Sequence, residues 1–282
     1  MNHRHVFALV LWVFLGFGFA AHAQKKTTAA EEQQLTEVNA HWAAQARMAS
    51  GVVKNKIIIL MIDDDSFRKG SLEALWKILE VVGASSPRAI FLDMHVPAWV
   101  SPEGKQLVDK LYPNITWAAN SSGYQRNGAR GSLALGIPEV KMFAGHEPGN
   151  RFGLLEPCVA GQGPNAAFLA WEMSGNVYSL PYHADCSRWY TSYALLKTAS
   201  VQGRLYIPFQ YFGDGFFTKV SSTALLAGQV NPSEFGGKTV LVGSVLPGKS
   251  GRVDRHITSV GVLDGTEILA HALGTLMSTL KY

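Results

Sequence analysis

The chain has 282 residues, 47% of them hydrophobic, 16% charged and 11% aromatic, a mixture that excludes disordered, fibrous and low-complexity classes. A formal charge of +4, spread over 25 basic and 21 acidic side chains without a long basic run, is a poor electrostatic footprint for nucleic acid, so no nucleic-acid partner is expected. The length allows an ordinary core to be buried without metals or a disulfide framework, and no cofactor is expected.

The chain opens with Met1-Asn-His-Arg-His5, an uncharged apolar run from Val6 to Ala20, and then Ala21-His22-Ala23. A basic start, a short apolar stretch and a small-x-small site describe a cleavable secretory signal over residues 1–23, cut after Ala23, which would place the mature protein in the periplasm or outside the cell. The run is too short for a comfortable membrane span, and the competing reading is an uncleaved amino-terminal anchor. Export makes Cys158 and Cys186 candidates for a disulfide, because thiols in an oxidising compartment tend to pair; the alternative is two buried free thiols.

Residues 24–50 carry Leu35, Val38, Trp42 and Ala49 at helical spacing and predict an amphipathic helical lead-in to a single domain over residues 51–282. Ile57-Ile-Ile-Leu-Met-Ile62 is a continuous apolar run ending in Asp63-Asp64-Asp65, the pattern of a strand buried on both faces. A helix follows, with Ser71 as its cap, Leu72, Leu75, Trp76, Leu79 and Val82 as its stripe and Gly83 as its end. Ala89-Ile-Phe-Leu92, stopping at Asp93, completes a βαβ unit with parallel strands. Ser101 to Leu111 predicts a short helix and Asn114 to Ala118 a strand, while residues 120–153 read as loop with short strands at most. Ala166 to Met173, Thr191 to Ala199 and Ser221 to Ala227 predict helices, Leu205 to Phe209 and Thr239 to Val242 strands, and Thr266 to Leu280 a closing amphipathic helix. The fold class is α/β, a mostly parallel sheet with helices on both faces in three layers, preceded by an amphipathic helix.

Gly243-Ser-Val-Leu-Pro-Gly248-Lys249-Ser250 satisfies the phosphate-loop pattern G-x-x-x-x-G-K-[ST] after a buried strand. The helix that must follow is missing, because Gly251-Arg-Val-Asp-Arg-His-Ile257 has no helical stripe, so no nucleotide partner is expected. Asp63, Asp64, Asp65 and Asp93 end adjacent strands, where an open parallel sheet gathers its ligands. They could hold a cation or an amine, serve a phosphoaspartyl hydrolase, or satisfy helix and loop amides, and the last of these is favoured. Glu267 and His271 lie four apart, with Asp254 and His256 just before them; no metal motif supports a site, and a polar helix face is expected there. No nucleophile elbow is present, and the protein is not expected to be an enzyme.

Read in order, several blocks resemble the type-two CHASE domain, a sensory extracellular module associated with bacterial cyclases and histidine kinases. They are Ile57 to Ser66 with its Asp-x-x-Ser end, Ala89 to Asp93, Phe217 to Gly228, Phe235-Gly-Gly-Lys-Thr-Val-Leu-Val-Gly243, Asp254-Arg-His-Ile-Thr258 and Gly265-Thr-Glu-Ile-Leu-Ala-His-Ala272. The match spans about residues 50 to 277 and is weakest over residues 120–200. It implies a ligand-binding role for Asp63, Asp65, Ser66, Asp93, Asp254 and Thr258. Family members are normally anchored and continue into a cytoplasmic output module, whereas this chain ends at Tyr282. The expectation is therefore a non-catalytic sensor that binds a small molecule or ion and acts through a membrane or envelope protein partner. The alternative is a structural subunit of an envelope complex such as a conjugation or secretion apparatus.

Overall fold

The computed structural model describes residues 27–63, 72–95, 116–120, 132–135, 152–159, 163–164, 166–175, 196–245 and 255–279. The expected signal segment 1–23 and the Ser101–Leu111 helix lie outside these residues. So do Asp64, Asp65, Ser66, Cys186 and Asp254.

The first helix, α1 (Ala29–Lys54), starts where a capping box closes: Thr28 Oγ accepts from the Glu31 amide, and the Glu31 carboxylate accepts from the Thr28 amide at 2.8 Å. It runs past residue 50, and its buried stripe of Val38, Trp42, Ala46 and Val53 joins the main core. Trp42 is wholly buried, and its indole N–H donates to the Lys197 carbonyl at 2.8 Å.

The principal sheet is built from β1 (Ile57–Ile62), β2 (Ala89–His95), β3 (Thr116–Asn120), β4 (Ser132–Leu135), β10 (Thr218–Ser221) and β11 (Thr239–Ser244). Its order is β10-β1-β11-β2-β3-β4, and every pairing is parallel. All six residues of β1 are buried, as are Thr239 to Gly243 of β11, because a parallel sheet is covered on both faces. The cover comes from two groups of helices. On one side α2 (Leu72–Ala84), with Leu75, Ile78, Leu79 and Val82 buried, packs with α4 (Ser222–Leu226) and the 3-10 turn Pro232–Phe235. On the other, α1 and α3 (Ala166–Gly175) pack on α5 (Gly265–Thr279), which lies against β1 and β11. The α/β class with helices on both faces is thus observed.

Gly83 does not end α2, which continues to Ala84; the reversal falls at Ser86, whose φ of 57° supplies the left-handed turn. A second, antiparallel sheet orders β5 (Phe152–Leu155), β9 (Arg204–Gln210) and β8 (Ala199–Val201) side by side and packs on α1. Here the helix expected over Thr191 to Ala199 is corrected where it is described: Ala199 opens β8. Gln202 and Gly203, both at positive φ, make the two-residue turn that folds β8 onto β9, and cross-strand pairing overrides the local helical pattern. Short pairs form from β6 (Cys158–Val159) with β7 (Gly163–Pro164), and from β12 (Arg255–Thr258) with β13 (Gly261–Asp264).

Candidate functional site

The parallel register brings the carboxyl ends of β1, β11 and β2 to one rim. Ile62 stands level with Ser244, and Val242 with Leu92, so Asp63 and Asp93 share that rim with β11 between them. Asp63 is committed there. Its Oδ1 accepts from Ser222 Oγ at 2.9 Å, from the Thr223 amide at 3.0 Å and from Thr223 Oγ at 2.8 Å, which makes it a second cap on α4 beside Ser221. Partial burial alone would raise its pKa, but the hydrogen bonds from Ser221, Thr223 and Ser222 outweigh this and hold the carboxyl below its usual value.

Asp93, half-buried, accepts from Thr266 Oγ at 2.8 Å. Thr266 lies in the first turn of α5 and reaches the rim because Gly243 leaves room: a Cβ built on Gly243 would stand 1.9 Å from Thr266 Oγ and 2.7 Å from Thr266 Cβ. Gly243 is therefore required for helix–strand contact. The remainder of the phosphate-loop lookalike, Leu246 to Ser250, lies outside the described residues.

Two more ties hold the same end of α5. Glu267, 4% exposed, accepts the Asp264 amide at 3.2 Å and meets Lys219 Nζ of β10 at 2.5 Å. Asp264 in turn receives Arg255 Nε at 3.0 Å, with Lys219 Nζ at 3.9 Å. Burying two carboxylates in this way requires the cations to be present, since an unpartnered buried charge is strongly unfavourable. The polar helix face expected at Glu267 and His271 is corrected by this geometry: both are buried, His271 at 1% exposure. Residues 266–277 of α5 are all buried, its polar line of Glu267, His271 and Thr275 included, because other elements cover that side as well as the apolar one formed by Ile268, Leu269, Ala272, Leu273 and Leu276. Lys219 was not singled out in the sequence; only the register of β10 against β1 brings it to Glu267.

Thr258 is taken up by the β12–β13 turn, donating to the Gly261 carbonyl at 2.8 Å and accepting from the Val260 amide. His256 is exposed on β12, and among the described residues no group of three or more His, Cys, Asp or Glu is placed to hold a metal ion. Of the six expected ligand residues, the described ones thus divide: Asp63 and Asp93 share the rim, and Thr258 shapes a turn.

Among the described residues no helix is long and apolar enough to cross a membrane. No curated protein and no solved structure matches the chain. The family model of the CHASE2 domain matches residues 8–282, beginning inside the amino-terminal apolar run. With nearly the whole chain covered, and with the strand-end aspartates and closing helix where the motifs predicted them, the protein belongs to the CHASE2 family of sensory domains.

Proposed function

We propose that the chain is an exported, non-catalytic sensory module in which a small molecule or ion bound at the carboxyl rim of the parallel sheet is reported through α5 to a membrane protein partner. One observation carries this reading: Asp93–Thr266 and Lys219–Glu267 fasten the start of the last helix to β2 and β10, while Arg255–Asp264 closes the β12–β13 hairpin that leads into it. A ligand that competes for Asp93 would alter the hold on Thr266 and so the seating of α5. The rim is also where open parallel sheets gather ligands, and Asp65 and Ser66 follow Asp63 within three residues of the sequence.

A thermal-shift screen of amines, metabolites and divalent cations on the intact chain tests the reading. A stabilising compound should raise the melting temperature of the parent and leave the Asp93→Ala variant unmoved. Absence of any stabilising compound, together with unchanged partner capture by Asp93→Ala, overturns it. The second reading, a structural envelope subunit, draws on the internal commitment of Asp63 and Thr258 and on the exposed pair Ile257 and Val262 of the β12–β13 hairpin. Crosslinking in intact cells separates the two, because a stable stoichiometric assembly favours the scaffold.

Export carries two further expectations. Amino-terminal sequencing of the mature protein should begin at Gln24, and a start at Met1 would instead mark an anchor. Cys158 should pair with Cys186, a bridge worth about 3 to 4 kcal/mol for a loop of this size. Cys158 is buried and is not a free thiol, which supports the pairing. Intact mass should rise by two hydrogens on reduction, and an unchanged mass removes the bridge.

A further inference from the structure

The segment Tyr211 to Phe217 joins the small antiparallel sheet, through β9, to β10 at the edge of the principal sheet. It lies along α5, where two successive turns of the helix receive it. Thr275 Oγ accepts from the Gln210 amide at 2.9 Å, and His271 Nδ1 accepts from the Phe212 amide at 3.2 Å. Gly274 makes room for the contact, since a Cβ there would stand 3.0 Å from Phe212, Phe217 and Val53 alike.

The imidazole is enclosed by rings. Phe212 stacks on it at 5.9 Å and 22°, Phe217 lies at 5.3 Å, and Tyr211 meets it edge-on at 5.6 Å. A backbone amide can only donate, so Nδ1 must hold a lone pair, and His271 is neutral with its proton on Nε2. Gly213 and Gly215, at φ of 126° and 64°, flank Asp214 in backbone conformations that L side chains rarely adopt, so glycine makes the turn at the tip of the segment.

We propose that His271 is a proton-operated latch that holds Tyr211–Phe217 against α5 and releases it when the imidazole becomes charged. Protonation at Nδ1 converts the acceptor into a donor, so that two N–H groups face each other. It also places a cation in a site that water does not reach.

The surrounding groups favour the neutral ring. Lys219 on β10 opposes a second positive charge. Glu267, one turn earlier on α5, is engaged by Lys219, while Tyr211 presents its ring edge to the imidazole and burial raises its pKa. The buried side chains of α1, namely Val38, Trp42, Ala46 and Val53, carry no charge, and Lys54 lies over the Phe216 ring. The buried side chains of α3, Ala167, Phe168, Ala170, Trp171 and Ser174, carry none either. Burial first, and then Lys219, push the His271 pKa down to about 3. With the segment released and the imidazole uncovered, it returns towards the ordinary value of about 6.5. The folded value is depressed for a base, so the latched state is fully favoured above about pH 6.5 and loses ground steadily as pH falls towards 3.

Linkage sets the expected size. Opening should become about 25-fold more favourable between pH 7 and pH 5. Hydrogen exchange of the Phe212 amide in the full chain, corrected for intrinsic rate, measures it directly. His271→Asn keeps an acceptor near the Nδ1 position without a titrating ring, and retains Asp264 and Glu267. Its Phe212 protection should stay constant over the same interval. Equal pH dependence in parent and variant overturns the proposal. If the variant does not fold, the nitrogen-15 spectrum of the parent imidazole decides: a neutral ring from pH 7 to pH 5 upholds the latch, and titration near 6.5 in the folded protein overturns it. The outcome does not depend on whether the rim binds a ligand.

Discussion

Replacing Trp42 with alanine should lower the unfolding free energy by about 3 to 5 kcal/mol, the usual range for truncating a large aromatic core residue. The side chain is wholly buried between α1 and the rest of the core, and its N–H satisfies the Lys197 carbonyl just before β8. The variant therefore creates a cavity and also removes the donor from a part-buried carbonyl. Trp42→Phe should lose less, because much of the volume is kept and only the hydrogen bond goes. Urea denaturation followed by circular dichroism checks both values. The shape of the transition carries further information: α1 also binds the small sheet through Gln34 and Glu31, whose side-chain oxygens accept the Ser200 and Gln202 amides at 3.1 and 2.6 Å. Parent and variant should each unfold in one step. A separate early transition for α1 would show that the helix is an appendage.

Gly243→Ala should be nearly as costly, at about 3 kcal/mol or more, since overpacking a filled site forces the backbone to move. The added methyl would overlap Thr266 Oγ at 1.9 Å and Thr266 Cβ at 2.7 Å. Rotating the threonine cannot relieve contact with Cβ, so α5 itself must lift from β11, breaking the Asp93–Thr266 hydrogen bond as it goes. The second-site change Thr266→Gly removes the colliding atoms and should recover much of the loss despite its own helix penalty of about 1 kcal/mol. A double-mutant cycle on thermal or urea midpoints gives the coupling, and additivity of the two changes would refute the steric account. The same cycle bears on the proposed function, because a rim that governs α5 requires Gly243, Thr266 and Asp93 to act as one unit.

Some of the architecture was legible because its signals are local. The apolar runs Ile57–Ile62 and Thr239–Val242 could be buried only from both sides, and the helical periods at Val38, Trp42, Leu75, Leu79, Leu273 and Leu276 predicted the packed faces. Thr28 followed by Glu31 also carries a capping-box signature, yet the start of α1 was placed earlier, since a polar, Ala-rich stretch extends helical character beyond the cap. Of the β8–β9 hairpin, β9 follows the expected strand over Leu205 to Phe209, whereas β8 and the turn are not legible, for a different reason. Its positive-φ turn is a Gln-Gly pair, weaker in sequence than Asn-Gly, and the strands are stabilised chiefly by their pairing and by α1.

The candidate site divides along the same line. That aspartates end the first two strands, and that such ends share a rim, follows from residue order and the parallel rule. Which aspartate is spoken for does not. Asp63 became a cap because β10 enters the sheet beside β1 and delivers Ser222 and Thr223 to its carboxylate, a contact between residues some 160 apart in the chain. Lys219 reached Glu267, and Phe212 reached His271, by the same long-range route. Residue order alone therefore determined the α/β class, the strand-end carboxylates and the family. Tertiary structure decided which polar groups are caps, which form the ion cluster at the head of α5 and which imidazole is sealed among rings, because burial and partnership belong to pairs of distant segments and no single stretch of chain encodes them.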